Sequence, residues 1–371
     1  MTLDKSYQFD FGIGEAAPCY TKITAATVYT AEQGYGFKEI EKVAARDRKE
    51  PAALRRDFCI PMDTAFLVDL PNGRYNATLL LGDAITETVT TVKSGSGRLM
   101  LHKLRTGAGQ FEKQSFSVQI DDGQLKLSFS GLAPRINAMD IVPSKQTTTI
   151  FLAGDSTVTD ETEDNFPFAG WGQMLPQWFR AEVAVSNHAK SGRSSKSFIG
   201  EGRLDTILQS IQANDYLFIQ FGHNDQKSDE ERHTDPFTTY QEHLMRYIDA
   251  ARERGAHPVL ITSVQRRFFA PDGTIVDTHG EYLTAMRELA AAEQVPLIDL
   301  AERSKALFEA LGPEETKSVF MWAAPGEFIH FPRGVEDNTH FQENGAIRIA
   351  KLVADGIREL RLQPLTLYLK S

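Results

Sequence analysis

Cysteine is close to absent, with only Cys19 and Cys59 in 371 residues. That count excludes a disulfide framework and a thiolate zinc site. One bridge would satisfy it, but in a chain that shows no export signal two buried free thiols are expected. Also missing is any run of roughly 20 apolar residues, the length that a membrane-spanning helix needs. The start MTLDKSYQFDFG lacks the basic-then-apolar order of a signal peptide, so the expectation is a cytoplasmic protein unless a leader has been removed. An excess of cationic charge is missing too. Forty Lys+Arg against fifty Asp+Glu leave a net charge of −10, which would repel a phosphate backbone or an anionic bilayer over most of the surface. Neither nucleic acid nor a membrane is an expected partner. Histidines spaced as metal ligands, as in H-E-x-x-H, do not occur either.

What is present is a globular composition, 41% hydrophobic and 24% charged, on a chain too long for one ordinary domain. Residues 1–145 carry short alternating runs at Ala26–Thr30, Ala65–Leu70, Tyr75–Leu81, Thr86–Val92, Ser115–Ile120 and Gln124–Phe129. Turn chemistry separates them, as at Pro71-Asn72-Gly73, and predicts an antiparallel β-sandwich or jelly roll. From residue 146 to 371 the rhythm alternates. Strands are predicted at Thr148–Ala153, Val183–Asn187, Tyr216–Phe221, Pro258–Thr262 and Val295–Leu300. Helices are predicted at Trp171–Glu182, Arg203–Ala213, Phe237–Gly255, Glu281–Glu293, Ala301–Leu311 and Gln342–Leu360. Such alternation describes an α/β three-layer domain with a parallel sheet, interrupted by insertions at Arg266–Thr278 and Gly312–Glu336.

The chemistry concentrates at strand ends. FLAGDSTV, Phe151–Val158, ends an apolar strand in a tight turn that presents Ser156 at the carboxyl edge, where open α/β sheets bind ligands. Alone, a serine in such a turn reads as a helix N-cap. A nucleophile also needs a base and an orienting group, and Asp337-Asn338-Thr339-His340 has the spacing to supply both from one short turn. Donors for an oxyanion are available at Gly192, in the stretch after the second strand, and at Asn224, after the third.

The order Ser156, Gly192, Asn224, Asp337 and His340 resembles the block order of the SGNH or GDSL-like hydrolases. Within them, GDSTV, GWGQ at Gly170–Gln173, NHAKSGRSSKSF at Asn187–Phe198, FIQFGHNDQK at Phe218–Lys227 and DNTHF at Asp337–Phe341 are similar to rhamnogalacturonan acetylesterases. The resemblance runs from about Thr148 to Leu360. It implies a flavodoxin-like domain in which Ser156 is the nucleophile, His340 the base and Asp337 its orienting carboxylate. Ser156 N–H, Gly192 N–H and the Asn224 amide would form the oxyanion hole, with no metal or organic cofactor, and Asp155 and Asn187 would support the nucleophile turn. The stretches YQFDFGIGEAAPCYTKITAATVYTAEQGYGF and FLVDLPNGRYNATLLLGD are similar to galactose-binding-like modules, which implies either sugar binding or a wall for the catalytic cleft.

The resemblance implies a carbohydrate O-acetylesterase acting on acetylated pectic oligosaccharides. A deacetylase of another glycan such as xylan, or of small acetyl esters, is the alternative enzyme. A carbohydrate-binding protein with an inactive hydrolase domain is the alternative of another class. Arg193, Arg266, Arg267 and Arg333 fall at the predicted reactive edge, where guanidinium groups can meet uronate carboxylates. Trp322, Phe328 and Phe331 are candidates either for stacking on sugar rings or for anchoring the long insertion that carries them. Oligomeric state is not legible.

Overall fold

Alternation of apolar and polar side chains builds two five-stranded sheets from the first part of the chain. One has the order Phe111–Ile120, Gly73–Gly82, Ala138–Pro143, Tyr7–Phe11, Thr21–Ile23. The other runs Tyr35–Phe37, Thr64–Asp69, Gln124–Ser130, Thr88–Ser94, Arg98–Thr106. Their inward residues form one core, in which the Phe66 ring packs edge-on against Phe9, Phe11 and Phe37 at centroid distances of 5.0–5.4 Å. This is the expected sandwich, with three corrections. Tyr7–Phe11 pairs in parallel with Thr21–Ile23. Ala26–Thr30 contributes a single bridge, Val28 to Phe37, instead of a strand. Cys59 is buried, its thiol pushed up to about 12 by desolvation, whereas Cys19 is exposed, and both are free.

The computed structural model describes residues 6–51 and 53–370; the opening MTLDK lies outside them. The chain forms two units. The first extends to Thr147 and takes in Phe179–Ala184, and the second begins at Thr148 and resumes at Val185.

In the second unit the elements, in chain order, are β1 (Thr148–Gly154), β2 (Phe168–Ala169), α1 (Trp171–Met174), β3 (Val183–Asn187), α2 (Ser195–Gly200), α3 (Arg203–Ser210) and β4 (Tyr216–Gln220). They continue with α4 (Gln241–Glu253), β5 (His257–Ile261), α5 (Glu281–Ala292), β6 (Leu297–Ile298), α6 (Leu300–Glu315), β7 (Phe320–Ala323), β8 (Val335–Gln342), α7 (Glu343–Glu359) and α8 (Leu365–Tyr368). The main sheet has the order β3-β1-β4-β5-β6, with β1 parallel to β4, β4 to β5 and β5 to β6. All five residues of β4 are buried, as a strand covered on both faces requires. The chain leaves β1 for β3 on one side and reaches β4 on the other, so the carboxyl end of β1 is the switch point of the sheet.

Several predicted boundaries move. The helix expected over Trp171–Glu182 stops at Met174 and passes into a 3-10 turn, Leu175–Trp178, because Pro176 has no N–H for the next helical bond. The strand expected over Val295–Leu300 shrinks to β6. The insertion 312–336 contains β7, and DNTH lies on β8 instead of in a short turn. β8 pairs with β2 and β7 in a separate three-stranded sheet.

Candidate active site

The turn after β1 is fixed from beneath. Asp155, fully buried, accepts the Thr157 backbone N–H at 2.9 Å, the Thr157 hydroxyl at 2.8 Å and the His223 ring at Nδ1, 3.2 Å away. Burial raises the Asp155 carboxyl, but these donors outweigh it and hold it below the usual carboxylate range. Burial pushes His223 the other way, towards the neutral ring. From GWGQ, Trp171 Nε1 donates to Gln220 Oε1 at 2.8 Å, and Gln220 Nε2 donates to Thr157 Oγ1 at 2.7 Å. The Asn187 amide donates to Val158 O and Asp160 Oδ1, each at 2.7 Å. Asp155 and Asn187 thus support the turn through short bonds.

Ser156, held by this turn, lies 2.9 Å from its Oγ to His340 Nε2. The other ring nitrogen, Nδ1, is 2.7 Å from Asp337 Oδ2. A neutral ring that donates from Nδ1 to the carboxylate and accepts from the serine at Nε2 satisfies both contacts. Asp337 Oδ1 accepts the backbone N–H of Thr339 at 2.7 Å and of His340 at 3.0 Å. Burial raises the Asp337 carboxyl, but His340 and these two N–H groups outweigh it, and the group stays ionised.

A regular strand would not allow this. Residues 337 and 340 are three apart, and alternation sends them to opposite faces. Here the register of β7 with β8 jumps from Phe320–Phe341 to Trp322–Glu336, so the intervening part of β8 is bulged, and the Asp337 carboxylate meets the ring of His340, which in turn reaches the serine. The apex of that bulge is Asn338. Its Oδ1 accepts from Arg267 Nη1 at 3.1 Å and from Trp322 Nε1 at 3.0 Å, and its carbonyl accepts the Arg267 backbone N–H at 2.8 Å. Phe168 on β2 meets the His340 ring edge-on at 5.0 Å.

The candidate oxyanion donors come from two further strand ends. Gly192 has φ +82°, a conformation that glycine adopts without strain, and no atom lies within 4 Å of an added Cβ. It is the backbone, rather than space, that calls for glycine. Asn224 Nδ2 donates one N–H to Arg193 O at 3.1 Å, which orients the amide and leaves its second N–H available. The neighbouring Asp225 receives the Ser195 N–H and hydroxyl and the Thr234 hydroxyl, so it joins the Asn224 segment to the start of α2.

Of the four arginines and Trp322, all but one are engaged within the protein. Arg193 pairs with Glu201 at 2.7 Å and donates to Ser191 O. Arg266 donates to Thr278 Oγ1 at 2.8 Å and reaches His223 O. Arg267 lies over the Trp322 ring at 4.7 Å, with Lys317 also 5.0 Å from that ring. Arg333 alone is exposed. The sequence reading missed Asp225, His223 and Asn338, although the unusual density of polar residues in GHND, directly after an apolar strand, is the signal that could have flagged the first two. Among the described residues no group of three or more His, Cys, Asp or Glu is placed to hold a metal, and no helix is long and apolar enough to cross a membrane.

Residues 152–346 match the model of the GDSL-like lipase/acylhydrolase family, and residues 7–134 match the β-agarase/YXIM esterase-like, galactose-binding domain-like family. The chain is 54% identical over 222 residues to the rhamnogalacturonan acetylesterase RhgT of Bacillus subtilis (strain 168), covering 60% of this chain and 94% of that protein. It is 32% identical over 349 residues to the uncharacterized esterase YxiM of the same organism, covering 90% and 88%. The crystal structure of B. subtilis YxiM superposes with a TM-score of 0.54 at 29% identity, covering 97% of this chain and 99% of that one.

Proposed function

We propose, for a chain that belongs to the GDSL-like lipase/acylhydrolase family and is an esterase, that it removes O-acetyl groups from pectic oligosaccharides of the rhamnogalacturonan type. The observation that carries this reading is the serine–histidine–aspartate line at 2.9 and 2.7 Å, in a chain 54% identical over 222 residues to a rhamnogalacturonan acetylesterase.

His340 Nε2 takes the Ser156 proton as Oγ attacks the acetyl carbonyl, and Asp337 holds the ring in the tautomer that can accept it. Charge that develops on the carbonyl oxygen meets donors fixed before reaction: the backbone N–H of Ser156 and Gly192, and the free N–H of Asn224. Protonated His340 returns the proton to the departing sugar hydroxyl. Water deprotonated by His340 then releases acetate from the serine. No step requires another group. Arg333, exposed and two residues before β8, is the candidate contact for uronate carboxylates, and the substrate is an acetylated sugar, not a nucleic acid or a lipid bilayer.

Acetate release from acetylated rhamnogalacturonan, acetylated homogalacturonan and acetylated xylo-oligosaccharides tests the substrate. The proposal expects the highest kcat/KM on rhamnogalacturonan. An equal or higher value on the xylan series would move the assignment to another glycan.

A further inference from the structure

We infer that Arg267, acting with Trp322 through Asn338, is a positioning residue that sets the bulge on which Asp337 and His340 stand. The inference deepens the esterase reading and rests on it.

A bulge is backbone removed from the ladder, so its shape must be fixed by something other than strand pairing. Within the bulge the Asp337 carboxylate takes the backbone N–H of Thr339 and His340, and Asn338 links it to the rest of the unit, since two donors from different elements converge on its Oδ1. One donor is the indole N–H of Trp322 on β7. The other is the Arg267 guanidinium, from the segment that follows β5. Arg267 also grips the backbone of residue 338 through its own N–H. The rest of the fork is committed elsewhere: Nε donates to Thr316 Oγ1 at 3.2 Å and Nη2 donates to Pro313 O. The guanidinium plane lies over Trp322, so one side chain ties the bulge, β7 and the end of α6 together.

This geometry explains why a guanidinium is required. A planar fork donates in fixed directions while its face stacks on an aromatic ring, whereas a lysine ammonium is a point charge that cannot do both. It also reassigns Arg267 and Trp322 from contact with sugar to alignment of the base. A misplacement of about 1 Å at a catalytic group costs on the order of 10²-fold in rate, so loosening the bulge should appear in turnover.

The test is a double-mutant cycle in the full chain with Arg267→Lys, Asn338→Ala and the double variant, supplemented by Arg267→Ala. Turnover and KM are measured on p-nitrophenyl acetate and on acetylated galacturonate oligomers, with circular dichroism as the check on folding. Each single variant is expected to lose about 10–100-fold in kcat on both substrates, with KM changed less than about threefold. The double variant is expected to be no worse than the worse single, since both remove the same restraint. Guanidinium ion added to Arg267→Ala should restore part of kcat. A loss confined to the uronate substrate and to KM would make Arg267 a substrate contact and overturn the inference. Losses that multiply in the double variant, full activity in Arg267→Lys, or no loss at all would overturn it as well. A wild-type chain inactive on every ester would refute the esterase reading itself, a different outcome.

Discussion

The Asp225 carboxylate holds Ser195 twice, accepting its backbone N–H at 3.1 Å and its hydroxyl at 2.5 Å. The pair locks the start of α2, three residues beyond Gly192, to the residue after Asn224, so both candidate oxyanion segments share one buried anchor. The Tyr247 and Tyr282 hydroxyls donate to the backbone carbonyls of Ser195 and Asp225 in turn.

A pH dependence of stability follows. Burial lifts the Asp225 carboxyl to about 7, and the Ser195 and Thr234 donors offset only part of that. An unfolded aspartate titrates near 3.9. Between roughly pH 4 and 7 the native carboxyl therefore keeps a proton that the unfolded one has lost. The contribution of this group is greatest below about pH 4, declines as pH rises to about 7 and is level above it. Asp225→Asn removes the titration. Tm at about pH 5 minus Tm at about pH 8, taken with its sign, should be lower for the variant than for the wild type, and equal values would contradict the assignment.

Asn224→Ala should lower kcat by about 10²–10³ and leave KM near its wild-type value, because the amide meets charge that exists only in the transition state. Steady-state kinetics on p-nitrophenyl acetate decide this. A rise in KM alone would make Asn224 a ground-state contact.

Arg333→Ala should reduce kcat/KM several-fold on acetylated galacturonate oligomers at about 0.05 M salt. The effect should fade towards 1 M, where the Debye length falls to about 3 Å. Neutral xylo-oligomers should show no change. Equal losses on both polymers would place Arg333 in the fold or the catalytic machinery.

Parallel strands were legible because a strand buried on both faces is a short apolar run with few alternatives. β1, β3, β4 and β5 fall within one residue of their predicted ends at most boundaries. The order of Ser156, Gly192, Asn224, Asp337 and His340 was legible as well, since chemistry at strand ends leaves polar residues where the apolar run stops. The bulge was not. VEDNTHFQ shows no alternation, and its partner Phe320–Ala323 lay in a stretch that read as loop. The internal partners of the arginines were hidden for a related reason. Sequence reveals a charge but not the distant carbonyls that occupy it, and Arg267 meets residues 313, 316 and 338 only after folding. Arg98–Thr106 shows no clean alternation, because Leu99, Met100 and Leu101 are buried in succession while Lys103 and Arg105 are exposed.

If Ser156 is the acyl acceptor, acetate release from acetylated rhamnogalacturonan should collapse in Ser156→Ala measured beside the wild type. Ser156 is buried, and among the described residues its hydroxyl contact is His340, so the substitution should leave the folding signal by circular dichroism unchanged. A loss on the order of 10⁶ in turnover is expected, the scale of removing the nucleophile from such a triad. Acetate release within a few-fold of the wild type would contradict it.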